Sequence, residues 1–422
     1  MAEHIFTGFG FGPIQGGLFV KEAFQSGNFT RITVAEIDAE LVQAVRENGG
    51  SYYVNVAKED GIETLKIDNV ELLNPNDPAD RKALLDSLSQ STEIATCLPS
   101  VKFYESGGDN SVASIIGEGL KKETIIYAAE NNNHAAEILQ KAVVAGASVP
   151  LCENIQFLNT VIGKMSRVVT DPTEIAEMKL MTIAPDLGRA FLVEQFNRIL
   201  VSRTTIPDFK PGIEVFIEKD DLLPFEEAKL YGHNAIHSLL GFIGVVKGAT
   251  SMTELKDDQA VMEIGKAAFM QESGTALINK YAQLGDELFT IAGYRNYAED
   301  LLERMTNPYL GDTVARVTRD IRRKLEMDGR IFGTMQLALE YDIEPENMAL
   351  GAMAGLVVLL NNAKENDLPI DLHLNDWRNL DDCKVEEILG WLWEDHRCKF
   401  TSQLIKCVQE AKERLKTLVH DE

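Results

Sequence analysis

The chain has 422 residues, 45% of them hydrophobic, which is more than one typical core accommodates and enough for two. Its 41 Lys and Arg stand against 66 Asp and Glu, a formal net charge of -25 that repels nucleic acid and anionic membrane surfaces and argues against both as partners. The cysteines (Cys97, Cys152, Cys383, Cys398 and Cys407) are odd in number and form no Cys-x-x-Cys pair, so neither a disulfide framework nor a thiolate zinc site is expected, and a cytoplasmic location fits.

The opening "MAEHIFTGFG" carries no basic stretch followed by an apolar run, so no signal peptide is expected. "HIFTGFG" and "RITVAEI" read as buried strands, with a helix built from "GGLFVKEAFQSG" between them. "TEIATCLPS" and "ETIIYAAEN" repeat the strand character, and strand alternating with helix predicts a parallel sheet with crossover helices. The segment 198–224 is rich in β-branched residues and broken by Pro207, Pro211 and Pro224, which suits extended pieces and turns leading out of that domain. From about Phe225 the periodicity is helical to the end. The longest apolar run, "MALGAMAGLVVLL" at 348–360, is shorter than the roughly 18 to 20 residues of a membrane span and reads as a core helix.

Two stretches carry candidate chemistry. The first is "GFGFGPIQGG", residues 8–17, placed between a predicted strand and a predicted helix. Glycines there let the backbone approach a pyrophosphate, and the free N–H groups of the next helix stabilise its charge. Gly10 and Gly12 occupy the first two places of the dinucleotide fingerprint; the third falls on Gln15, with Gly16 and Gly17 following. Glu36 ends the next strand, where a carboxylate accepts hydrogen bonds from the adenosine ribose and disfavours a 2′-phosphate, so the expected cofactor is NAD. The alternative is a glycine-rich turn with no ligand.

The second is "EEAKLYGHNAIHSLLG", residues 226–241. On an α-helix with Lys229 at zero, Glu226 lies at about 60°, His233 at about 40°, His237 at about 80° and Asn234 at about 140°, all on one face. A desolvated lysine suits a general base taking a hydroxyl proton, and an asparagine amide suits an alkoxide. Three other readings stand beside this one: a solvated polar face, a metal pair of His233 and His237 that lacks the glutamate of the zincin motif, and a core histidine at 233.

Lys229, Asn234 five residues on and His237 three further resemble the Lys-x(4)-Asn-x-x-His signature of the polyol-specific long-chain dehydrogenases, the mannitol dehydrogenase family. Glu130 and Asn131 match that family's strand-end acidic-Asn pair, and "MQESGTALINKYA" (270–282) and "NPYLGDTVARVTRDIRRKL" (307–325) resemble its later helical motifs. The resemblance implies a Rossmann-type α/β N-terminal domain with a parallel sheet (1–215, dinucleotide-binding) followed by a mostly α-helical substrate domain (216–422). It implies NAD(P) as hydride carrier and no catalytic metal. It makes Lys229 the general base, Asn131 and Asn234 the groups that stabilise the oxyanion, and His237 the residue that orients substrate.

In length the chain resembles most the mannitol-1-phosphate 5-dehydrogenase branch, whose substrate phosphate needs cations. Arg316, Arg319 and Arg323 supply them if one helix holds all three within about 60°; the alternative is a solvated basic face. The chain departs from the branch at Ile321, where a proline is usual, at "DGR" (328–330), where an Asp-Arg pair is usual, and at Gln15. The expectation is therefore an NAD-dependent enzyme acting on a hexitol or hexitol phosphate, with a hexuronate (tagaturonate or fructuronate) reductase and a non-catalytic NAD-binding protein as alternatives.

Overall fold

The computed structural model describes residues 4–420 apart from 148, 149, 153, 197, 375 and 395. The chain divides into two compact units, Met1–Leu223 and Pro224–Glu422.

In chain order the strands are β1 His4–Phe9, β2 Phe29–Ala35, β3 Tyr52–Ala57, β4 Ile62–Ile67, β5 Val70–Leu73, β6 Glu93–Thr96, β7 Thr124–Ala128, β8 Ile155–Val161, β9 Ser166–Val169, β10 Ala190–Glu194, β11 Ile199–Ser202 and β12 Phe216–Lys219. Eight form one sheet in the order β12-β11-β8-β7-β6-β1-β2-β5, parallel from β8 to β5. The antiparallel β8–β11 pair adds the far edge. The central strands β6 and β7 are buried along their whole length, as expected where helices cover both faces of a parallel sheet. Chain direction across the sheet reverses between β1 and β6, the switch point beside which open α/β sheets take their ligands. The helices Ala39–Glu47 and Pro78–Gln90 begin at the capping carboxylates of Asp38 and Asp77.

A second, four-stranded sheet in the order β4-β3-β10-β9 was not expected from the sequence. It grows from the hairpin "YYVNVAKEDGIETLKI" and covers the first helix, with the rings of Tyr52 and Phe191 seated on Gly16 and Val193 on Gly17.

The second unit is mostly helical. Glu346–Asn361 is its central element, with every residue from Met348 to Leu360 buried. It packs against Ala235–Lys247 and against the last helix, Thr401–His420. Gly351 permits the first of these approaches, since a Cβ there would lie 2.9 Å from Leu239. No helix among the described residues is long and apolar enough to cross a membrane.

The one helix expected to hold Arg316, Arg319 and Arg323 is instead two one-turn pieces, Val314–Val317 and Ile321–Lys324. Asp320 separates them at φ 54°, a left-handed conformation that interrupts the helical ladder without help from glycine or proline. Arg316, Arg319 and Arg323 therefore do not share one helix face, and the geometry expected of them is corrected.

Candidate active site

In the first unit the strand β1 runs into a tight loop at Gly10 (φ 78°), whose N–H donates to Ala35 O at 2.9 Å. A Cβ at Gly10 would meet Cys97 O at 2.9 Å, so only glycine fits. A Cβ at Gly12 would point into open space, leaving backbone that a ligand can approach closely. Glu36 ties this loop to the end of β2: one carboxylate oxygen accepts from Phe11 N at 2.6 Å, the other from Asp38 N at 2.9 Å. Each oxygen keeps lone-pair capacity for ribose hydroxyls. The cradle at Gly10 and Gly12 and the partly exposed carboxylate of Glu36 thus fit the dinucleotide that the sequence calls for.

Gln15 and Gly16 are placed differently. Gln15 is fully buried with its amide laid over Gly8 of β1, where any side chain at 8 would collide with it, and neither amide atom has a hydrogen-bond partner. The close strand-to-helix approach that a third fingerprint glycine normally provides is supplied from the strand side, by Gly8. The helix absorbs the larger residue by widening to a π-helical turn at Gln15–Phe19, in which Val20 N–H reaches back to Gln15 O. Gly16 faces Phe191 and Tyr52, and the tyrosine hydroxyl donates to its carbonyl at 2.6 Å.

Glu130, just past β7, is buried and accepts hydrogen bonds from Thr96 Oγ1 (2.9 Å), from Leu98 N (2.8 Å) and from the Tyr104 hydroxyl. Burial raises its pKa, and these donors oppose the rise. It fastens the loop after β6 to the end of β7, where the exposed Asn131 follows.

In the second unit the segment 224–247 is helical, with a π-helical turn at Ala228–Asn234 where Ala235 N–H reaches back five residues to Leu230 O. One extra residue in the turn sets back everything after it by about 100°, so Asn234 moves to about 40° and His237 to about -20° relative to Lys229. The five-residue spacing of Lys229 and Asn234, awkward on an α-helix, is the in-register spacing of a π-turn. This turn abuts a second one, Ala268–Gly274, at Gly232, where a Cβ would lie 2.9 Å from the Phe269 ring.

Lys229 is only partly exposed, and burial pushes its ammonium down to about 8; the charge of Arg330 adds to the effect and that of Glu226 opposes it. His233 is buried one turn before His237, and burial holds it well below the usual imidazole range, so it stays neutral. His237 Nε2 lies 3.3 Å from Asp312 Oδ2 without forming a hydrogen bond. Asp312 is 4% exposed and takes Arg316 in a two-pronged pair, Nε and Nη2 each at 2.6 Å. Burial would raise the Asp312 carboxyl, but His237 and Arg316 outweigh it and hold it at about 2.

Arg316 is thus occupied by Asp312, Arg319 is exposed, and the exposed Arg323 lies 3.7 Å from Asp320. Two other cations are less exposed, Lys324 being buried and Arg330 half-buried. Lys324 is 4% exposed and pushed down to about 7 by burial and by Arg330. Arg330, pushed down to about 10 by burial and by Arg323, donates from Nη1 to Ser238 Oγ at 3.1 Å. Among the described residues no group of three His, Cys, Asp or Glu is placed to hold a metal ion.

The mannitol dehydrogenase C-terminal domain family matches residues 221–416. A mannitol-1-phosphate 5-dehydrogenase of Geobacillus stearothermophilus is 27% identical over 374 residues, 85% of this chain and 87% of the relative. One of Buchnera aphidicola is 25% identical over 361 residues, 82% and 84% of the two chains. In fold the chain is similar to a D-sorbitol dehydrogenase in substrate-free form (TM-score 0.75) and to the Pseudomonas fluorescens mannitol 2-dehydrogenase in ternary complex with NAD and D-mannitol (TM-score 0.68). Each is 15% identical, with 99% of this chain and 94% of the other covered.

The second unit carries the mannitol dehydrogenase C-terminal domain, and over most of its length the chain is similar to mannitol-1-phosphate 5-dehydrogenases. Its α/β first unit with a mostly parallel sheet and its helical second unit match the mannitol dehydrogenase structures. Sequence reasoning counted Lys324 among the cations of "RVTRDIRRK" without choosing it for the site, and did not single out Asp312 or Arg330 in this mannitol dehydrogenase relative. Asp312 lies four residues before Arg316 in "GDTVAR", an i, i+4 acid-base spacing that could have been read. Arg330 gave no such signal, and nothing in the spacing of the cluster sets Lys324, the one cation of it that is buried, apart from its neighbours.

Proposed function

We propose that the chain is an NAD-dependent oxidoreductase that interconverts a hexitol or hexitol phosphate, of the mannitol 1-phosphate and fructose 6-phosphate type, with its ketose. The observation that carries this reading is the π-turn that aligns Lys229, Asn234 and His237 on one face, with the lysine held at about 8. The first unit binds the dinucleotide through Gly10, Gly12 and Glu36, with Gln15 and Gly16 supporting the loop from beneath; the second unit binds substrate.

NAD, when bound, supplies the acceptor or donor of the hydride. The chain's own residues manage the proton and the charge. Near neutral pH an appreciable fraction of Lys229 is a free amine that takes the hydroxyl proton of the alcohol, and in the reverse direction its ammonium returns a proton to the carbonyl oxygen. The Asn234 amide donates a hydrogen bond to the alkoxide as charge grows on it, a role the family signature also gives to Asn131. His237, set by the carboxylate of Asp312, orients the substrate hydroxyls, and Glu226, one turn before Lys229, passes its proton onward. Arg316 acts through Asp312 instead of on substrate.

The test is NADH oxidation with fructose 6-phosphate, fructose, tagaturonate and fructuronate, beside Lys229→Ala. Turnover of one ketose that drops by about 100-fold or more in the variant is expected. If no ketose oxidises NADH above the variant's background, the reading fails. A hexuronate reductase is the second reading, favoured by the buried Lys324 and the half-buried Arg330, which suit a carboxylate as well as a phosphate.

A further inference from the structure

A π-turn inserts one residue into a helix, so an N–H bonds five residues back and steps over the carbonyl four back. A carbonyl left open in packed protein needs another donor, because an unpaired buried carbonyl is costly. At Ala228–Asn234, Ala235 N–H bonds Leu230 O and Gly232 O and passes over Tyr231 O. Thr334, fully buried on the helix Arg330–Glu340, donates to that carbonyl from Oγ1 at 3.2 Å. Arg330 O, one turn back on its own helix, lies 2.6 Å from the same oxygen, so the one hydroxyl proton is shared. Gly333 makes the reach possible, since a Cβ there would lie 2.8 Å from the Tyr231 ring.

The arrangement repeats in the first unit. At Gln15–Phe19, Val20 N–H bonds Gln15 O and passes over the carbonyl of the buried Gly16, to which Tyr52 Oη donates at 2.6 Å. Tyr52 is fully buried, and its ring meets Phe11 of the glycine loop edge-on at 4.9 Å between centroids. The third π-turn, Ala268–Gly274, is the contrast: Thr275 N–H passes over the carbonyl of Gln271, an exposed residue within reach of water. At the two turns that hold proposed site residues, hydroxyls from unrelated elements thus end on the one carbonyl that only a π-turn leaves open.

An inserted residue can slide along a helix, each step returning one N–H to its α-helical partner. Moved out of 229–234 in either direction, it puts Asn234 back at about 140° and His237 at about 80° from Lys229. Resting on the ketose reading above, we infer that Thr334 and Tyr52 are positioning residues whose hydroxyls hold the passed-over carbonyls and so pin each π-turn in place. Thr334 keeps Lys229 facing Asn234 and His237. Tyr52 keeps the first helix seated beneath the cradle of Gly10 and Gly12.

The experiment measures kcat and KM for the ketose that the wild type turns over, the NADH dissociation constant by fluorescence titration, and thermal unfolding. Thr334→Val keeps the shape and removes the hydroxyl; it is expected to lower kcat about 20-fold, with KM and NADH affinity within about threefold. Thr334→Ser keeps the donor and is expected to regain most of the loss. Asn234→Ala is expected to cost less in the Thr334→Val background than in the wild type, because the amide there already points away; a merely structural role would leave the two costs equal. Tyr52→Phe is expected to raise the NADH dissociation constant about tenfold.

A folded Thr334→Val with wild-type kcat, or a Thr334→Ser as impaired as Thr334→Val, overturns the role of Thr334, and NADH affinity within about twofold in Tyr52→Phe overturns that of Tyr52. If Thr334→Val does not fold, Thr334→Cys takes its place: a thiol is the weaker donor, and a kcat equal to that of Thr334→Ser overturns the inference. A wild type that turns over no ketose overturns the ketose reading, and the NADH titration of Tyr52→Phe then decides the inference by itself.

Discussion

Glu93 offers a prediction whose size follows from the structure. It begins β6, is fully buried, and its carboxylate accepts from Gly212 N at 2.5 Å and from the Tyr127 hydroxyl at 3.0 Å, with His4 Nδ1 3.5 Å away. Burial raises it from 4.5 to about 7, against those donors. A carboxyl raised on folding binds more protons in the folded state than in the unfolded one between those two values, so its contribution is complete below about 4.5 and is lost as pH climbs through about 7. The shift corresponds to about 3 kcal/mol in all, of which about 2.5 kcal/mol falls between pH 5 and pH 8. Glu93→Gln keeps the shape: its oxygen serves Gly212, and its amide donates to Tyr127, whose hydroxyl is free to turn. The assay is urea unfolding of both proteins at pH 5 and pH 8, taken as a double difference so that the surface carboxylates cancel. The variant is expected to lose less stability than the wild type over that interval, by roughly 2 kcal/mol. Parallel pH dependences for the two proteins would refute the reasoning.

Other outcomes follow from the same geometry. Polyol oxidation is expected to rise with pH and level off above about 8, and ketose reduction to fall over that range, because the free amine serves the first direction and the ammonium the second; initial-rate pH profiles check this. Gly8→Ala is expected to cost about 2 kcal/mol by colliding with Gln15, and Gln15→Gly in that background to recover part of the loss by restoring space at the usual place. Gln15→Met is expected to stabilise the fold by about 1 kcal/mol in thermal unfolding, since it removes a buried amide with no partner. Glu130→Ala is expected to weaken NADH binding measured by fluorescence titration, whereas Glu130→Gln, which can still bond Leu98 N and both hydroxyls, retains most of it.

Much of the architecture was legible because the relevant signals are local. Alternating strand and helix patterns, glycines at 10 and 12 after an apolar run and an acid at 36 are each written within a few residues of where they act. The small sheet was missed although "YYVNVAKEDGIETLKI" alternates and turns as a hairpin should. Its strand pairing with β10, more than a hundred residues later, has no local trace. The break at Asp320 was missed for a related reason: the arginines and lysine around it suit a helix, and only the packed structure places an aspartate in the left-handed region.

The π-turns decide how far the site could be read. A hydrophobic stripe tells where a helix is buried but is too coarse to register one inserted residue, so an α-helical wheel leaves Asn234 about 140° from Lys229 and makes the signature look loosely gathered. With the turn at 228–234 in place the same residues fall within about 60°, and the spacing of five between lysine and asparagine acquires a reason. The same device at 15–19 lets a glutamine stand where the fingerprint has glycine. In both places the widened turn breaks α-helical register beside a residue assigned to the chemistry. A five-residue interval between polar groups on an apolar helix is therefore evidence for a π-turn and for a shared role, where α-helical geometry alone would separate them.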